Sequence, residues 1–287
     1  DQIIKNTSDI YRRIRNTARF LLANLHDFTP DTHSIAPEDM LALDKWIVDQ
    51  AYHLQQQLVA DYDNYNFAKA IGAVHNFCAN ELGGFYLDVI KDRQYTMAAD
   101  SPARRSCQTA MYLVVNALVG WIAPVLSFTS EEISQYIPGD RPGSIFLTLW
   151  DTNLQPLLVS EKQFNQNFWQ AVVSLRDLVN KELEQARNNS VIGSGLEAQL
   201  DIYCDETLHA KLELLADELK FLFIVSRVNL HLAAAAGFSV KVSAYSFDKC
   251  IRCWHRHESI GSDTTHSELC SRCVTNLSAV GETRLYA

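Results

Sequence analysis

The stretch KCIRCWHRHESIGSDTTHSELCSRCVTNL, residues 249–277, decides how the end of the chain folds. It contains two Cys-x2-Cys pairs, Cys250/Cys253 and Cys270/Cys273, with sixteen residues between them. Each pair can offer two thiolates to one metal ion from a single tight turn, and two pairs complete the tetrahedral sulfur shell that suits Zn²⁺. Four thiolates leave no open position for water, so the sequence predicts one structural zinc ion and no hydrolytic centre.

Three histidines and a tryptophan of this stretch are further candidates for a role at the metal site. His255, His257 and His266 lie between the pairs, but four cysteines already suffice, so we expect the histidines to face solvent or to support the ligands. We expect Trp254 to pack over the metal, and stacking on a nucleic-acid base is the alternative. Two disulfides or a redox pair are the alternatives to zinc, and the matched spacing disfavours both.

Composition narrows the class of protein. Of 287 residues, 47% are hydrophobic and 21% are charged, which excludes a disordered chain and suggests about two domains. No apolar run reaches the ~18 residues of a membrane span, and no secretory signal is visible, so we expect a cytoplasmic protein. Cys78, Cys107 and Cys204 lie singly in apolar stretches, which predicts free, buried thiols. The absence of an initiator Met predicts a piece of a longer protein.

Hydrophobic periodicity predicts a mainly α-helical fold in three parts. Residues 1–157 form a helical bundle with long helices over 9–28, 37–65, 66–94 and 102–126. A capping box at Thr129–Glu132 predicts a further short helix that runs to Ile137. Residues 158–237 form a small α+β module, and residues 238–287 form the four-cysteine zinc module. The predicted elements of the last two parts are helices over 161–187 and 206–219, strands over 196–204, 221–225 and 240–247, and a link at Ala233–Ala236.

Two groups of basic residues are candidates for RNA binding. Arg12, Arg15 and Arg19 fall within about 60° of one another on the first helix, beside Asn16. Guanidinium groups on one helical face can engage successive phosphates or stack on unpaired bases. The alternative is a solvated basic face whose arginines pair with carboxylates of the same chain.

The second group begins within the stretch FYLDVIKDRQY, residues 85–95. It comprises Lys91 and Arg93, with Arg104 and Arg105 shortly after. A salt-bridged helix end is the alternative interpretation here. No Ser/His/Asp arrangement, phosphate-binding glycine loop or HExxH motif occurs, so the sequence contains no recognisable catalytic centre.

Several stretches together resemble one family, the bacterial isoleucyl-tRNA synthetases. Four segments look like the anticodon-binding helical domain of these class Ia enzymes, the cysteine stretch looks like their carboxyl-terminal zinc module, and GLEAQLDIY (195–203) matches the module between them. The four are YRRIRNTARFLLANLHDF (11–28), FYLDVIKDRQY (85–95), ARRSCQTAMY (103–112) and WIAPVLSFTSEEI (121–133).

The resemblance implies an enzyme that activates isoleucine with ATP and attaches it to tRNA(Ile). The HIGH and KMSKS motifs of its catalytic domain are absent, so the ATP site and the editing domain are expected to precede Asp1, and this chain alone is expected to be inactive. It would keep the part that grips the anticodon stem-loop, act as a monomer, and adjoin the missing catalytic domain. The resemblance favours RNA contacts by Arg12, Arg15, Asn16 and Arg19, and the alternative is that some of these side chains pack against that domain.

Other classes of protein compete with this interpretation. A free-standing zinc-ribbon module that binds nucleic acid is one, but DNA glycosylases with a related finger need an amino-terminal proline and this chain begins Asp1-Gln2. A zinc-stapled protein-interaction scaffold is another, and the net charge of −9 would suit it. Residues 248–287, which contain the four cysteines, hold five basic and five acidic residues, which predicts a positioning role with few phosphate contacts.

Overall fold

The structure is a computed structural model, and it describes residues 2–157, 163–233, 237–278 and 281–287. The chain divides into two compact units, Asp1–Ile90 with Pro102–Val159 and Lys91–Ser101 with Ser160–Ala287. No helix of the described residues is long and apolar enough to cross a membrane. The three-part division made from the sequence stays a prediction.

The first unit is helical. Its short and long helices are α1 (Gln2–Ala23), α2 (Pro30–His33), α3 (Ala42–Asp63), α4 (Phe67–Phe77), a π-helical segment (Cys78–Tyr86), α5 (Leu87–Val89), α7 (Pro102–Ile122) and α8 (Ser127–Ser134), with 3₁₀ turns at Pro37–Asp39 and Ile145–Leu147. The predicted helical bundle is therefore confirmed for this part of the chain.

Helix α7 forms the centre of this unit. Val114, Leu118 and Trp121 are fully buried, as expected of a helix surrounded by others. The polar atoms of its last turns are satisfied from α3, because the Tyr62 hydroxyl donates to the Trp121 carbonyl (2.6 Å) and the Trp121 indole donates to Gln55 Oε1 (2.9 Å). This packing fixes α3 against α7.

Two predicted helix boundaries of this unit are wrong. The stretch 66–94 is not one helix, since a π-helical segment and a break at Ile90 interrupt it. The capping box is also wrong, because α8 already begins at Ser127. Glu131 instead accepts hydrogen bonds from the Ser144 hydroxyl and the Ile145 N–H, both at 2.9 Å, and so ties a later loop to α8.

The second unit combines helices with one small sheet. Its elements are α6 (Lys91–Thr96), α9 (Gln166–Asn188), β1 (Ala198–Cys204), α10 (Glu206–Glu213), α11 (Leu219–Phe223), β2 (Arg227–Leu232), β3 (Phe238–Ala244) and α12 (Ser271–Leu277), with 3₁₀ turns at Gly195–Glu197 and Ala216–Glu218. The strand order is β2-β1-β3, in which β1 is parallel to β2 and antiparallel to β3.

The central strand β1 shows why the sheet forms. Leu200, Ile202 and Cys204 alternate with more exposed residues and are fully buried, which is the period-two pattern of a strand with one covered face. The strand predicted at 221–225 is wrong, because this apolar run ends helix α11, and Ile224 terminates it in the left-handed conformation (φ 53°). A short apolar run that is buried on all sides is compatible with a strand and with the end of a helix. Of the predicted link Ala233–Ala236, residues 234–236 lie outside the described residues.

Candidate metal centre and candidate RNA-facing residues

The four cysteines of the two pairs meet at one point. Cys250, Cys253, Cys270 and Cys273 are all buried, and their sulfur atoms lie within 4.8 Å of one another. Hydrogen bonds from the thiols of Cys253 and Cys273 lower the pKa of Cys270 to about 3. Among the described residues no other group of His, Cys, Asp or Glu side chains offers such a constellation.

Each pair sits on a tight local structure. In the first pair, the Cys250 N–H donates to the His255 carbonyl and the Trp254 N–H donates to the Cys250 carbonyl, both at 2.9 Å. Trp254 takes a left-handed conformation (φ 66°), which turns the chain back. In the second, Cys270 precedes α12 and Cys273 lies in its first turn. The Cys270 N–H donates to the Cys250 sulfur at 3.4 Å, which joins the two pairs.

The sulfur geometry fits zinc. A tetrahedron with Zn–S distances of about 2.3 Å has S–S edges of about 3.8 Å, and Cys253 Sγ lies 3.7 Å from Cys270 Sγ. Leu269, Ile260 and Val274 pack around the cluster and exclude water from it. When bound, the ion would close the two turns into one module and leave no position for a substrate.

The neighbouring aromatic residues follow the predictions only in part. His255 is buried and its Nδ1 lies 3.3 Å from the Cys253 carbonyl oxygen, so it supports the turn and is not a ligand. The expectation that Trp254 packs over the metal is wrong, because its side chain is 59% exposed. The left-handed turn directs the indole outward, where the Lys249 Nζ lies 5.2 Å from the ring centroid.

A buried ion network connects the metal module, which is the four-cysteine module of residues 238–287, to α6. Arg272 lies between the two ligands of the second pair and forms a bidentate bridge to Asp92, with distances of 2.6 and 2.8 Å. Arg284 donates to the same carboxylate at 2.7 Å, and Glu282 accepts from both arginines. Burial opposes ionisation, but the two arginines hold the pKa of Asp92 well below its usual range. The salt-bridged interpretation of the stretch 85–95 is therefore correct at Asp92.

Helix α1 presents the first group of basic residues on its open face. Arg12, Asn16 and Arg19 are exposed, and Arg15 is half-exposed. Within the residues that the structure describes, the side chains of Asn16 and Arg19 form no hydrogen bond or ion pair. These two side chains are therefore available to a ligand.

The two other arginines of this first group have carboxylate partners. Arg15 makes a bidentate contact with Glu132 of α8, both N–O distances being 2.7 Å, and Arg12 pairs with Asp9 one turn earlier. The hydrogen bonds and charge of Glu132 raise the pKa of Arg15 further. Intramolecular carboxylate partners were the alternative interpretation of this face, but the sequence does not point to Glu132, because a partner 117 residues away leaves no local pattern.

Three of the residues predicted to face RNA lie in the interior. Arg104 forms a bidentate bridge to Asp27 (2.6 and 3.0 Å), and Arg105 donates to the Asp27 carbonyl (2.9 Å) and to Gln108 Oε1 (2.7 Å). Arg93 is 1% exposed. Burial contradicts an RNA contact by these three arginines, whose role is structural. Lys91, the remaining member of the second group, is exposed.

Comparison with known proteins agrees with this arrangement. Residues 44–202 match the family described as the anticodon-binding domain of tRNA ligase, and residues 247–276 match the zinc finger found in FPG and IleRS. The second match contains all four clustered cysteines.

Curated relatives match over the whole chain. It is 49% identical to the isoleucine–tRNA ligases of Alkalilimnicola ehrlichii and Azotobacter vinelandii and 47% identical to that of Teredinibacter turnerae. The match covers 100% of this chain and 31–32% of each relative, so the chain spans about a third of their length. The match to the anticodon-binding domain covers more than half of the residues of this chain, so the chain belongs to the anticodon-binding domain family of tRNA ligases.

Proposed function

We propose that this chain binds the anticodon stem-loop of tRNA(Ile) as part of an isoleucine–tRNA ligase. The observation that carries the proposal is the pairing of an anticodon-binding domain with the zinc finger of IleRS in one chain, in the same 287 residues that relatives of that name share. Isoleucine activation with ATP, transfer and editing belong to the part of such a ligase that this chain does not span. The intact ligase is proposed to be a cytoplasmic monomer.

The open face of α1 supplies suitable chemistry for the RNA. Arg12, Asn16 and Arg19 follow one another at intervals of four and three residues, so they lie along a single exposed stripe. Anticodon loops present splayed bases that proteins bind by stacking and by hydrogen bonds to base edges, while phosphate contacts fix the register. Guanidinium and amide groups can make both kinds of contact. Arg15 can join them when RNA displaces Glu132.

The metal module is proposed to position RNA-facing side chains. A bound zinc ion makes a short segment rigid even though the segment has little apolar core of its own. The exposed indole of Trp254, next to the Lys249 ammonium, offers a stacking surface with a cation beside it. Such a surface tolerates any base, so it contributes affinity more than sequence preference.

A titration of the zinc-loaded chain with tRNA(Ile) tests this function. A tRNA with an unrelated anticodon is run in parallel at two salt concentrations, and Arg19→Gln is compared with the parent chain. Tighter binding of tRNA(Ile), weakened by salt and by the substitution, supports the proposal. Equal affinity for both RNAs, or no binding, refutes it and favours a protein-interaction scaffold.

A further inference from the structure

A polar cavity of about 220 Å³ lies in the second unit. Residues from four places in the sequence line it: Lys220 of α11, Arg227 at the start of β2, Tyr245 just after β3, and His257 and Glu258 between the two cysteine pairs. The metal module therefore forms one wall of the cavity. The residues that line this cavity include none of the four cysteines and none of Arg12, Asn16 and Arg19.

Lys220 brings a positive charge to the cavity. Among the described residues its ammonium group makes no hydrogen bond and no ion pair, and its nearest aromatic contact is the Phe221 ring, at 5.1 Å from the centroid. Burial lowers the pKa of Lys220, and the carboxylate of Asp217 opposes that effect. A partly desolvated ammonium with no acceptor gains more from an incoming oxygen ligand than a solvated one does.

His257 adds a second donor whose tautomer is fixed by its neighbours. Its Nδ1 accepts the Ser259 N–H at 3.0 Å and lies 2.7 Å from the Ser259 hydroxyl, which itself accepts the Ser271 N–H at 2.8 Å. The hydroxyl proton is therefore free to point at Nδ1, so the ring proton resides on Nε2. Burial lowers the pKa of His257 and so favours the neutral ring. His257 and Lys220 both line the cavity, so an imidazole N–H and an ammonium group are the donors that these two residues offer there.

The remaining charges limit what the cavity binds. Arg227 adds a second cation, but the exposed carboxylates of Asp217 and Glu258 balance the two cations. With no net charge from these four groups, the cavity does not concentrate free anions from solution. We expect an oxyanion to bind in this cavity only when other contacts already hold it nearby. An RNA chain that is bound elsewhere on the protein meets this condition.

We propose that this cavity receives one phosphodiester group of the bound RNA. The Lys220 ammonium and the His257 Nε2–H donate to its non-bridging oxygens, and Arg227 faces the same group from β2. The inference rests on the proposed function, and it names a phosphate site outside the α1 stripe. It also gives the metal module a direct part in binding, because the turn between the cysteine pairs carries His257.

Lys220→Met tests the inference in the full zinc-loaded chain. Lys181→Met, which removes an exposed lysine from α9, is the matched control, and Lys220→Arg restores a donor. We expect Lys220→Met to weaken tRNA(Ile) binding about fivefold to tenfold and to reduce the slope of log K against log salt by about 0.7. Lys220→Arg should recover most of the affinity, while circular dichroism and zinc content should match the parent chain.

The ¹⁵N chemical shift of His257 Nε2 provides a readout that a merely structural role would not move. We expect this signal to shift on addition of tRNA(Ile) but not on addition of inorganic phosphate alone. Equal affinities of Lys220→Met and Lys181→Met, or a stationary His257 signal in bound protein, would overturn the inference and leave the proposed function intact. A parent chain that binds no tRNA would overturn both.

Discussion

We expect that replacing the Asp92 carboxylate with an amide strongly destabilises the second unit. Asp92→Asn keeps the shape of the side chain but removes its charge. In the parent chain Asp92 and Glu282 neutralise Arg272 and Arg284, and the two arginines are largely buried, with side-chain exposures of 14% and 2%. The variant leaves two buried guanidinium groups with one carboxylate.

The magnitude follows from the burial of this network. Removing one partner of a buried ion pair costs about 3–5 kcal/mol, because it leaves one uncompensated charge in the interior. The stacking of Arg284 on Phe221, at 3.3 Å from the ring centroid, prevents that side chain from swinging into solvent. Because Arg272 lies between two cysteine ligands, strain in the network also reaches the metal site. We therefore expect a large share of a typical domain stability to be lost.

Urea unfolding and zinc release measure the two consequences separately. Unfolding is followed by circular dichroism, and zinc release by a chromogenic chelator under native conditions. Asp177→Asn, which removes an exposed carboxylate from α9, serves as the control and is expected to change stability by less than about 0.5 kcal/mol. If Asp92→Asn unfolds and releases zinc no more readily than this control, the network does not stabilise the module and the reasoning is wrong.

Three further changes have definite expected results. Cys253→Ser should abolish tight zinc binding, unfold residues 248–277 and weaken tRNA binding, with the helicity of the first unit unchanged in circular dichroism. Glu132→Gln should tighten tRNA binding severalfold in a filter-binding assay, because it frees the Arg15 guanidinium for phosphate. Burial opposes ionisation of Asp27, but hydrogen bonds from Arg104 and Gln108 lower its pKa, so its stabilisation is complete above the unfolded value of about 3.9. Acid titration of the parent chain should show that stabilisation disappear as the pH falls through the folded value, and Asp27→Asn should remove this part of the pH dependence.

Each of these has an outcome that contradicts it. Loss of helicity from the first unit in Cys253→Ser would show that the two units do not fold independently. Weaker RNA binding by Glu132→Gln would mean that the carboxylate positions Arg15 and does not compete for it. An unchanged acid-unfolding curve in Asp27→Asn would show that its bridge to Arg104 adds nothing to stability.

The parts of this protein that the sequence predicts well are those decided by local spacing. Two Cys-x2-Cys pairs constrain four sulfur atoms through tight turns, so their convergence needs little knowledge of the rest of the chain. The apolar period of α1 and the alternation in β1 are local in the same sense. The strand prediction for the run 221–225 fails because all five of its residues are apolar, and a run without period cannot distinguish a helix end from a buried strand.

Long-range partners explain the residues that sequence reasoning misplaced. Arg104 and Arg105 look like an exposed basic pair in the sequence, yet Asp27, 77 residues before Arg104, holds both in the interior. No local pattern marks Asp27 as their partner. Arg93 is likewise buried beside Asp92, which itself pairs with the metal module 180 residues later. Charge type follows from the sequence, whereas its exposure depends on the tertiary fold.

This distinction sets an upper limit on how strongly salt should affect RNA binding. Five proposed phosphate contacts remain: Arg12, Arg15, Arg19, Lys91, and the cavity where Lys220 and Arg227 face a single phosphate. Each phosphate neutralised contributes about 0.7–0.9 to the slope of log K against log salt, so the slope should not exceed about 4.5 in magnitude. The two arginines with carboxylate partners lower it further, because RNA must displace those carboxylates first. A chain with a net charge of −9 then binds RNA through a few placed groups and not through its overall field. A measured slope well above this limit would show that basic residues outside this set carry the binding.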